Sequence, residues 1–317
     1  MITIAVAGGS SSGLGRSIVR AIQQYPDQLR AVVLSRQSSK VPAWLEETGI
    51  EVRKVDYSSE DSLYDALQGI HTVLCVILAA DGTWVSSQIN LLRAGLRAGI
   101  SRFAPAEFGV GPQAADNVTL LQPGREVMAA CREAKKKTPD FEYAGFHVGL
   151  FMNYLGYGAP DEAAATHEMN DTWVFVWDVK NMKAAIPLTK EGEVPHMTMT
   201  ELGDVGRFAA AACLLPQGSW KEDFSLASET LRMDKVVQII EKVRGKKMNV
   251  TYRKYEEIEK EEAEVDVSNV SKLLWLQIEL LASRNAVGEG IVEPILNKLC
   301  PSVKPMSVEE YMKKFWS

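Results

Sequence analysis

The chain opens with apolar and polar positions arranged as a strand, a turn and a helix. Ile2, Ile4 and Val6, separated by short residues, are typical of a buried parallel strand. After a glycine-rich turn at residues 8–15, apolar residues recur at helical spacing over residues 14–25. This spacing predicts a helix with one apolar face that packs on the sheet.

The same alternation of strands and helices continues through the first half of the chain. Further strands are predicted at residues 31–34, 50–55, 71–78, 102–109 together with an exit loop, and 141–148. The pattern predicts an α/β fold with a doubly wound parallel sheet of the Rossmann type. Beyond residue 149 the rhythm changes, and tryptophan and β-branched residues over 172–186 favour a small hairpin outside the main sheet.

This change in the pattern of strands and helices predicts two domains. We predict a nucleotide-binding domain over residues 1–155, to which residues 196–230 return. A smaller C-terminal substrate lobe is predicted over residues 156–317.

The turn between the first strand and the first helix is the strongest candidate binding site. Its glycines let the backbone approach a diphosphate, and the helix N-terminus directs free N–H groups at that anion. A glycine turn that follows a strand and opens a helix has the context of the dinucleotide fingerprint. The residues of this turn expected to bind the cofactor are Gly9, Ser11, Ser12, Gly13 and Leu14.

The end of the second strand indicates which dinucleotide is bound. An acidic residue here would bind the ribose hydroxyls of NAD, whereas Arg36 offers a planar cation for a 2′-phosphate, with Lys40 nearby. The predicted cofactor is therefore NADP(H). Asp56 is expected near the adenine, while Ala79 and Phe108 follow the fourth and fifth strands, at the sheet edge where ligands bind.

Composition and charge exclude several other classes of function. Among 317 residues, 35 Lys and Arg face 41 Asp and Glu, a net charge of -6, so there is no basic field for nucleic acid or an anionic membrane. The four cysteines are widely spaced, which predicts reduced thiols in a cytosolic protein and no metal site. With no signal peptide or membrane span in the sequence, we expect a cytoplasmic protein with a small hydrophobic or aromatic substrate, compatible with an oligomer.

Several segments together resemble a known family. They are the glycine turn, Ser35-Arg36, Arg-Phe-x-Pro-x-Glu-Phe-Gly at residues 102–109, Gly149-Leu-Phe-Met-Asn-Tyr154 and Asp204-Val-Gly-Arg-Phe208. The chain resembles the atypical short-chain dehydrogenases of the NmrA-like and isoflavone reductase-like group, especially fungal members. The resemblance implies an NADP(H)-binding domain, a substrate lobe, and hydride transfer to conjugated, often aromatic or polyketide-derived compounds.

The resemblance also implies a residue that handles the proton in the reduction, and this sequence departs from the family at that position. Isoflavone-type reductases carry a proton-handling lysine in a Lys-x-x-Val/Ile frame on the helix after the Glu-Phe-Gly loop. Here that frame falls on residues 124–127, which places Gly124 where the lysine is expected. The Tyr-x-x-x-Lys pair, in which lysine lowers the pKa of a tyrosine acid, does not occur in the sequence either.

Other residues could then handle the proton or line the substrate pocket. His147, at the end of the sixth strand, and Tyr154 are the candidate catalytic residues, although a core histidine hydrogen-bonded to a backbone carbonyl fits His147 equally well. Glu107 is expected to anchor its loop by accepting backbone amides rather than to act as a base. The residues expected to contact substrate, or alternatively to pack in the core, are Phe151, Asn153, Trp173 and Trp177.

Three functions remain open at the level of sequence. The leading hypothesis is an NADPH-dependent reductase of a hydrophobic polyketide or phenolic secondary metabolite, acting on a carbonyl or a conjugated double bond. The first alternative is a regulator that senses NADP(H) without turnover, which the glycine at position 124 favours. The second is a cyclase or isomerase on the same scaffold.

Overall fold

The computed structural model describes residues 1–79, 81–169 and 174–317. These residues form two compact units, each made of three segments. The first unit comprises residues 1–108, 123–146 and 205–224. The second comprises residues 109–122, 147–204 and 225–317.

The first unit is built on a six-stranded sheet. Its strands are β1 (Ile2–Ala7), β2 (Leu29–Arg36), β3 (Glu51–Val55), β4 (Thr72–Cys75), β5 (Arg102–Ala104) and β6 (Glu142–Tyr143). Their order is β3-β2-β1-β4-β5-β6, and every neighbouring pair is parallel. This confirms the predicted α/β class, and it places the reversal of strand order between β1 and β4, where open sheets of this kind bind ligands.

The helices of both units alternate with strands or follow them. They are α1 (Leu14–Ile22), α2 (Ala43–Glu46), α3 (Glu60–Ala66), α4 (Trp84–Ala98), α5 (Gly124–Lys137), α6 (Glu162–Thr166), α7 (Leu202–Cys213), α8 (Met233–Arg244), α9 (Tyr255–Glu264), α10 (Val270–Ser283), α11 (Ile295–Leu299) and α12 (Val308–Trp316). Within the described residues, no helix combines the length and the apolar character needed to cross a membrane.

The core of the first unit explains why its strands are apolar on both faces. Val32 of β2, Val73 of β4, Leu91 of α4 and Cys131 of α5 are all fully buried in one cluster. Burying a side chain of the size of valine or leucine contributes about 1.5–3 kcal/mol. Helices that pack on the sheet therefore require the nearly continuous apolar runs that the sequence displays.

Two strands are shorter than predicted, and the continuation of the sixth binds other segments. The fourth ends at Cys75 and the sixth at Tyr143. Beyond Tyr143 the backbone N–H of Gly145 donates to the carbonyl of Glu222 at 2.9 Å, and that of Phe146 to the carbonyl of Glu107 at 2.7 Å. These bonds leave the sheet pattern and tie residues 145–146 to neighbouring loops.

A buried ion pair holds the returning segment 205–224 to the first unit. Arg102 and Glu142, each 2% exposed, approach to 2.7 Å. The Arg102 guanidinium also donates to the carbonyls of Cys213, Leu215 and Pro216 at 2.8–3.0 Å. The segment that returns is thus fixed through its backbone oxygens.

The second unit contains two three-stranded sheets, with orders β11-β10-β7 and β12-β9-β8. Its strands are β7 (Leu150–Phe151), β8 (Trp177–Asp178), β9 (Lys183–Pro187), β10 (His196–Thr200), β11 (Glu229–Arg232) and β12 (Asn249–Arg253). The antiparallel pair β8–β9 falls in the region expected to form a hairpin.

The division of the chain differs from the predicted boundary at residue 155. After β6 the chain passes into the second unit at His147, because β7 pairs with β10 outside the main sheet. The segment that returns to the first unit is 205–224, and residues 109–122 belong to the second unit. With these segments the second unit is about as long as the first, whereas the sequence suggests a smaller lobe.

Candidate functional site

The glycine turn after β1 forms a cradle that side chains would close. Gly13, at the N-cap of α1, has φ 67, a conformation that favours glycine, and as a glycine it has no side chain to cap the helix. A Cβ on Gly8, whose φ is 83, would lie 3.1 Å from the backbone carbon and oxygen of Val76. The turn and the chain after β4 therefore approach each other closely, which only glycine allows.

The other predicted residues of the turn lie between β1 and the first turn of α1. A Cβ on Gly9 would lie 2.9 Å from Cβ of Val6. Ser11 is exposed and its hydroxyl donates to the carbonyl of Gly8 at 2.9 Å, while Ser12 is half-buried and Leu14 begins α1. A nine-residue helix that begins after a glycine N-cap and a glycine turn fits an anionic diphosphate.

The end of β2 presents cations to solvent. Arg36, the last residue of β2, and Lys40 are both exposed. Lys54 of β3 donates to the carbonyl of Ser39 in the turn between them. This arrangement can hold a phosphate on an adenosine ribose, because the guanidinium can bind phosphate oxygens in a bidentate manner.

Asp56 follows β3 next to this turn. Its carboxylate accepts hydrogen bonds from the backbone N–H and the hydroxyl of Ser58, at 2.9 and 2.6 Å. These bonds keep the pKa of Asp56 below its ordinary value. Asp56 is exposed, and its contact with an adenine stays a prediction.

The two remaining cofactor candidates lie after β4 and β5. Ala79 is half-buried and is the last residue of the first described range. Phe108 is 6% exposed, and its ring stacks on Phe146 with centroids 5.3 Å apart. The Phe108 ring therefore packs in the core, and cofactor contacts at both positions stay predictions.

The start of α5 holds a feature that the sequence did not reveal. A Cβ on Gly124 would lie 2.1 Å from Oε1 of Glu107 and 3.4 Å from the Trp84 ring. Burial raises the pKa of Glu107 to about 7. Among the described residues, no hydrogen bond to the Glu107 carboxyl is found, so its expected role of accepting backbone amides is wrong; its own backbone carbonyl accepts from Phe146 instead.

The two predicted catalytic residues lie in the second unit. His147 is 6% exposed, and its carbonyl accepts from the backbone N–H of Leu226 at 2.9 Å. Tyr154 is half-buried, and its ring contacts Trp275 edge to face at a centroid distance of 5.6 Å and Phe151 at 6.3 Å. Their roles in proton handling stay predictions, as does substrate contact by Phe151.

Two predicted substrate contacts are corrected by the structure. Asn153 is fully buried; its amide donates to the carbonyl of Ala165 and accepts from the N–H of Leu202, both at 2.8 Å. Trp177 is 1% exposed, and its indole N–H donates to the carbonyl of Met233 at 3.2 Å. Both side chains stabilise the second unit, because their polar atoms are used inside it. Trp173 lies outside the described residues.

Comparison with known proteins identifies the family. The profile of the NmrA-like family matches residues 2–312. The chain is 26% identical to "Oxidoreductase swnN" of Metarhizium robertsii, covering 100% of this chain and 98% of that one. Its fold is similar to isoflavone reductase (TM-score 0.75, 19% identity, 98% of both chains covered). It is also similar to AtPrR2 with NADP+ and (+)pinoresinol (TM-score 0.74, 20% identity, 99% and 98% covered). The chain belongs to the NmrA-like family.

Proposed function

We propose that this protein is an NADPH-dependent reductase that transfers hydride to a hydrophobic polyketide or phenolic compound, at a carbonyl or a conjugated double bond. The observation that carries the proposal is the start of α1 behind its glycine turn, with glycine at the N-cap, together with the exposed Arg36 at the end of β2. A relative that spans the whole chain is named an oxidoreductase. AtPrR2, which has a similar fold, holds NADP+ and (+)pinoresinol.

The proposal assigns cofactor binding to the first unit and substrate binding to the second. NADPH, when bound, supplies the hydride. The turn residues 8–14 hold its diphosphate, and Arg36 with Lys40 selects the 2′-phosphate. Placement in the cytosol is part of the proposal and is supported by four buried cysteine thiols.

Cofactor choice is tested with Arg36→Ala. Because charge-assisted hydrogen bonds to phosphate contribute about 1.5–3 kcal/mol, the Kd for NADPH should rise by roughly 10- to 100-fold. The Kd for NADH should stay unchanged, as measured by calorimetry. Arg20→Ala, at an exposed arginine in the last turn of α1, is the matched control and should bind both cofactors as the wild type does.

Turnover is tested with a panel of quinones, enones and ketones. Oxidation of NADPH with at least one compound, together with a product two mass units heavier, supports a reductase. The absence of NADPH oxidation across the whole panel would contradict it.

The glycine at position 124 favours a second candidate, an NADP(H)-sensing regulator without turnover. A sensor needs different affinities for the oxidised and reduced cofactor, because a ligand shifts an equilibrium only by its differential affinity. Calorimetry with NADP+ and NADPH measures this difference directly. Equal affinities would exclude the sensor, whatever the result of the turnover panel.

A further inference from the structure

The carboxyl of Glu107 occupies the space in front of Gly124. An ideal Cβ on Gly124 would meet Oε1 of Glu107 at 2.1 Å and its Cδ at 3.2 Å. Any side chain at position 124 would thus begin where the carboxyl now lies. The glycine leaves the first turn of α5 open, and the carboxyl fills the opening.

Hydrogen bonds fix the loop that carries this carboxyl. The backbone N–H of Ala106 donates to Oε1 of Gln88 at 2.7 Å, and the amide of Gln88 donates to the carbonyl of Trp84 at 3.3 Å. Gln88 is 1% exposed, so these bonds are protected from water. On the other side of Glu107, its carbonyl accepts from the backbone N–H of Phe146 at 2.7 Å. The backbone is therefore held before and after the carboxyl.

The surroundings of the carboxyl favour its protonated form. Among the described residues, no cation is paired with Glu107, and Trp84 supplies an apolar wall at the Gly124 position. The titratable group on α5 that interacts with it is Cys131, whose pKa burial raises to about 12, so this thiol is neutral. Burial alone accounts for the rise in the pKa of Glu107 to about 7.

The carboxyl also lies at the correct edge of the sheet. Glu107 follows β5, the neighbour of β4, so it is at the carboxyl ends of the strands, close to the reversal of strand order between β1 and β4. The indole N–H of Trp84 donates to the carbonyl of Ile77 at 2.9 Å, which joins the start of α4 to the chain after β4. Ligands of open parallel sheets bind at this edge.

We propose that Glu107 is the acid that delivers the proton in the reduction, in place of a side chain at position 124. The inference rests on the proposed reductase function. NADPH is oxidised to NADP+ as its hydride adds to the acceptor carbon. The Glu107 carboxyl O–H bond breaks and a new O–H bond forms on the oxygen of the carbonyl or enolate, so the substrate gains two electrons and two hydrogens. The carboxylate then regains a proton from water.

The kinetic test is Glu107→Gln, which keeps the shape and removes the transferable proton. Because positioned acids contribute about 100- to 10,000-fold, kcat should fall by that factor. The Kd for NADPH should not change. In the wild type, kcat should fall as the pH rises through about 7, and the variant should lack this dependence.

Glu126→Gln, at an exposed residue of α5, is the control, with kcat within about twofold of wild type. If Glu107→Gln keeps the wild-type kcat while the wild type reduces the panel compounds, the inference is overturned and the reductase stands.

A second measurement does not need turnover. The ¹³C resonance of the Glu107 carboxyl, assigned by its loss in Glu107→Gln, should titrate near pH 7 in the free protein. Binding of NADP+, whose nicotinamide ring is positive, should lower that midpoint further than binding of NADPH, whose ring is neutral. Equal midpoints with both cofactors, or a free-protein midpoint near the ordinary value of about 4.3, would overturn the inference. If no panel compound is reduced, the reductase function fails, and these midpoints still decide whether Glu107 faces the reactive ring.

Discussion

The two ends of β5 hold carboxylates in opposite ways, one fully buried at Glu142 and one half-buried at Glu107. At its first residue, Arg102 binds Glu142 of β6 at 2.7 Å, and the second oxygen of Glu142 accepts from the backbone N–H of Trp220 at 2.9 Å. Beyond its last residue, Glu107 has no cation paired with it among the described residues, and burial raises its pKa to about 7. At the first residue of β5 the charges are paired and hold segments of the chain together. Beyond its last residue, the Glu107 carboxyl can change its protonation state near neutral pH.

The difference follows from what each end must do. Charges buried at the amino end of the strands are stabilising only when fully paired, and every hydrogen-bond partner of Arg102 is a group of the same unit. At the carboxyl end, an unpaired carboxyl reduces stability above its pKa, because the folded state must then bury a charge. A group that lowers stability at a ligand-binding edge is a candidate for chemistry.

The largest expected effect is at the amino end. Arg102→Met should lower the free energy of unfolding by about 3–5 kcal/mol, because it leaves the Glu142 carboxylate buried without a partner. Urea denaturation measures this change. Arg30→Ala removes an exposed ion pair with Glu51, whose side chains are 58% and 37% exposed, and should cost less than about 1 kcal/mol. Similar losses in the two variants would contradict the assigned role of the buried pair.

The next prediction concerns how the free energy of unfolding depends on pH through the Glu107 carboxyl. The pKa of Glu107 is raised on folding, so the folded state binds its proton more tightly, and this residue's contribution to stability declines as the pH rises from about 4.5 to about 7. Glu107→Gln removes that loss. We expect equal stability to wild type near pH 4.5 and a gain of up to about 3 kcal/mol at pH 8.

The corresponding change at the other end should have the opposite sign. Glu142→Gln leaves the Arg102 guanidinium buried without its counter-charge, and it should be destabilising at pH 8 by about 3 kcal/mol. Urea denaturation of both variants at the two pH values tests the pair. If Glu107→Gln is also destabilising at pH 8, its carboxyl is a structural group like that of Glu142.

The sequence predicted the strands, helices and glycine turn of the first unit better than the contacts of its candidate catalytic groups. The apolar runs, the glycine turn and Arg36 depend on local spacing, and spacing determines where a strand ends and a helix begins. The contact of Glu107 with Gly124 joins the loop after β5 to the first residue of α5, so no local pattern could predict it. Asn153 and Trp177 are wrong as substrate contacts for the same reason: their partners Ala165 and Met233 are brought to them by folding.

One signal in the sequence nevertheless pointed to the site. A glycine at the position where a lysine is expected leaves space in the first turn of α5, and space inside a protein is filled by a neighbouring group. The sequence could not tell which group fills it. The structure assigns that space to a carboxyl oxygen at the end of a flexible side chain.

The smallest expected change in stability tests whether Gly124 positions the Glu107 carboxyl or is needed for folding. In Gly124→Ala the new methyl group displaces Oε1 of Glu107, the end of a side chain that can rotate toward water. Because alanine is favoured over glycine in helices by at most about 1 kcal/mol, the free energy of unfolding should stay within about that amount of wild type. The pKa of Glu107 should nevertheless fall toward its ordinary value as the carboxyl becomes hydrated, and NADPH oxidation should slow.

A Cβ on Gly109 would have no atom within 4 Å, so Gly109→Ala is the control and should leave the titration midpoint of Glu107 unchanged. A large loss of stability in Gly124→Ala with an unchanged midpoint would mean that the glycine serves packing, and that the two ends of β5 differ less in function than in their bonds.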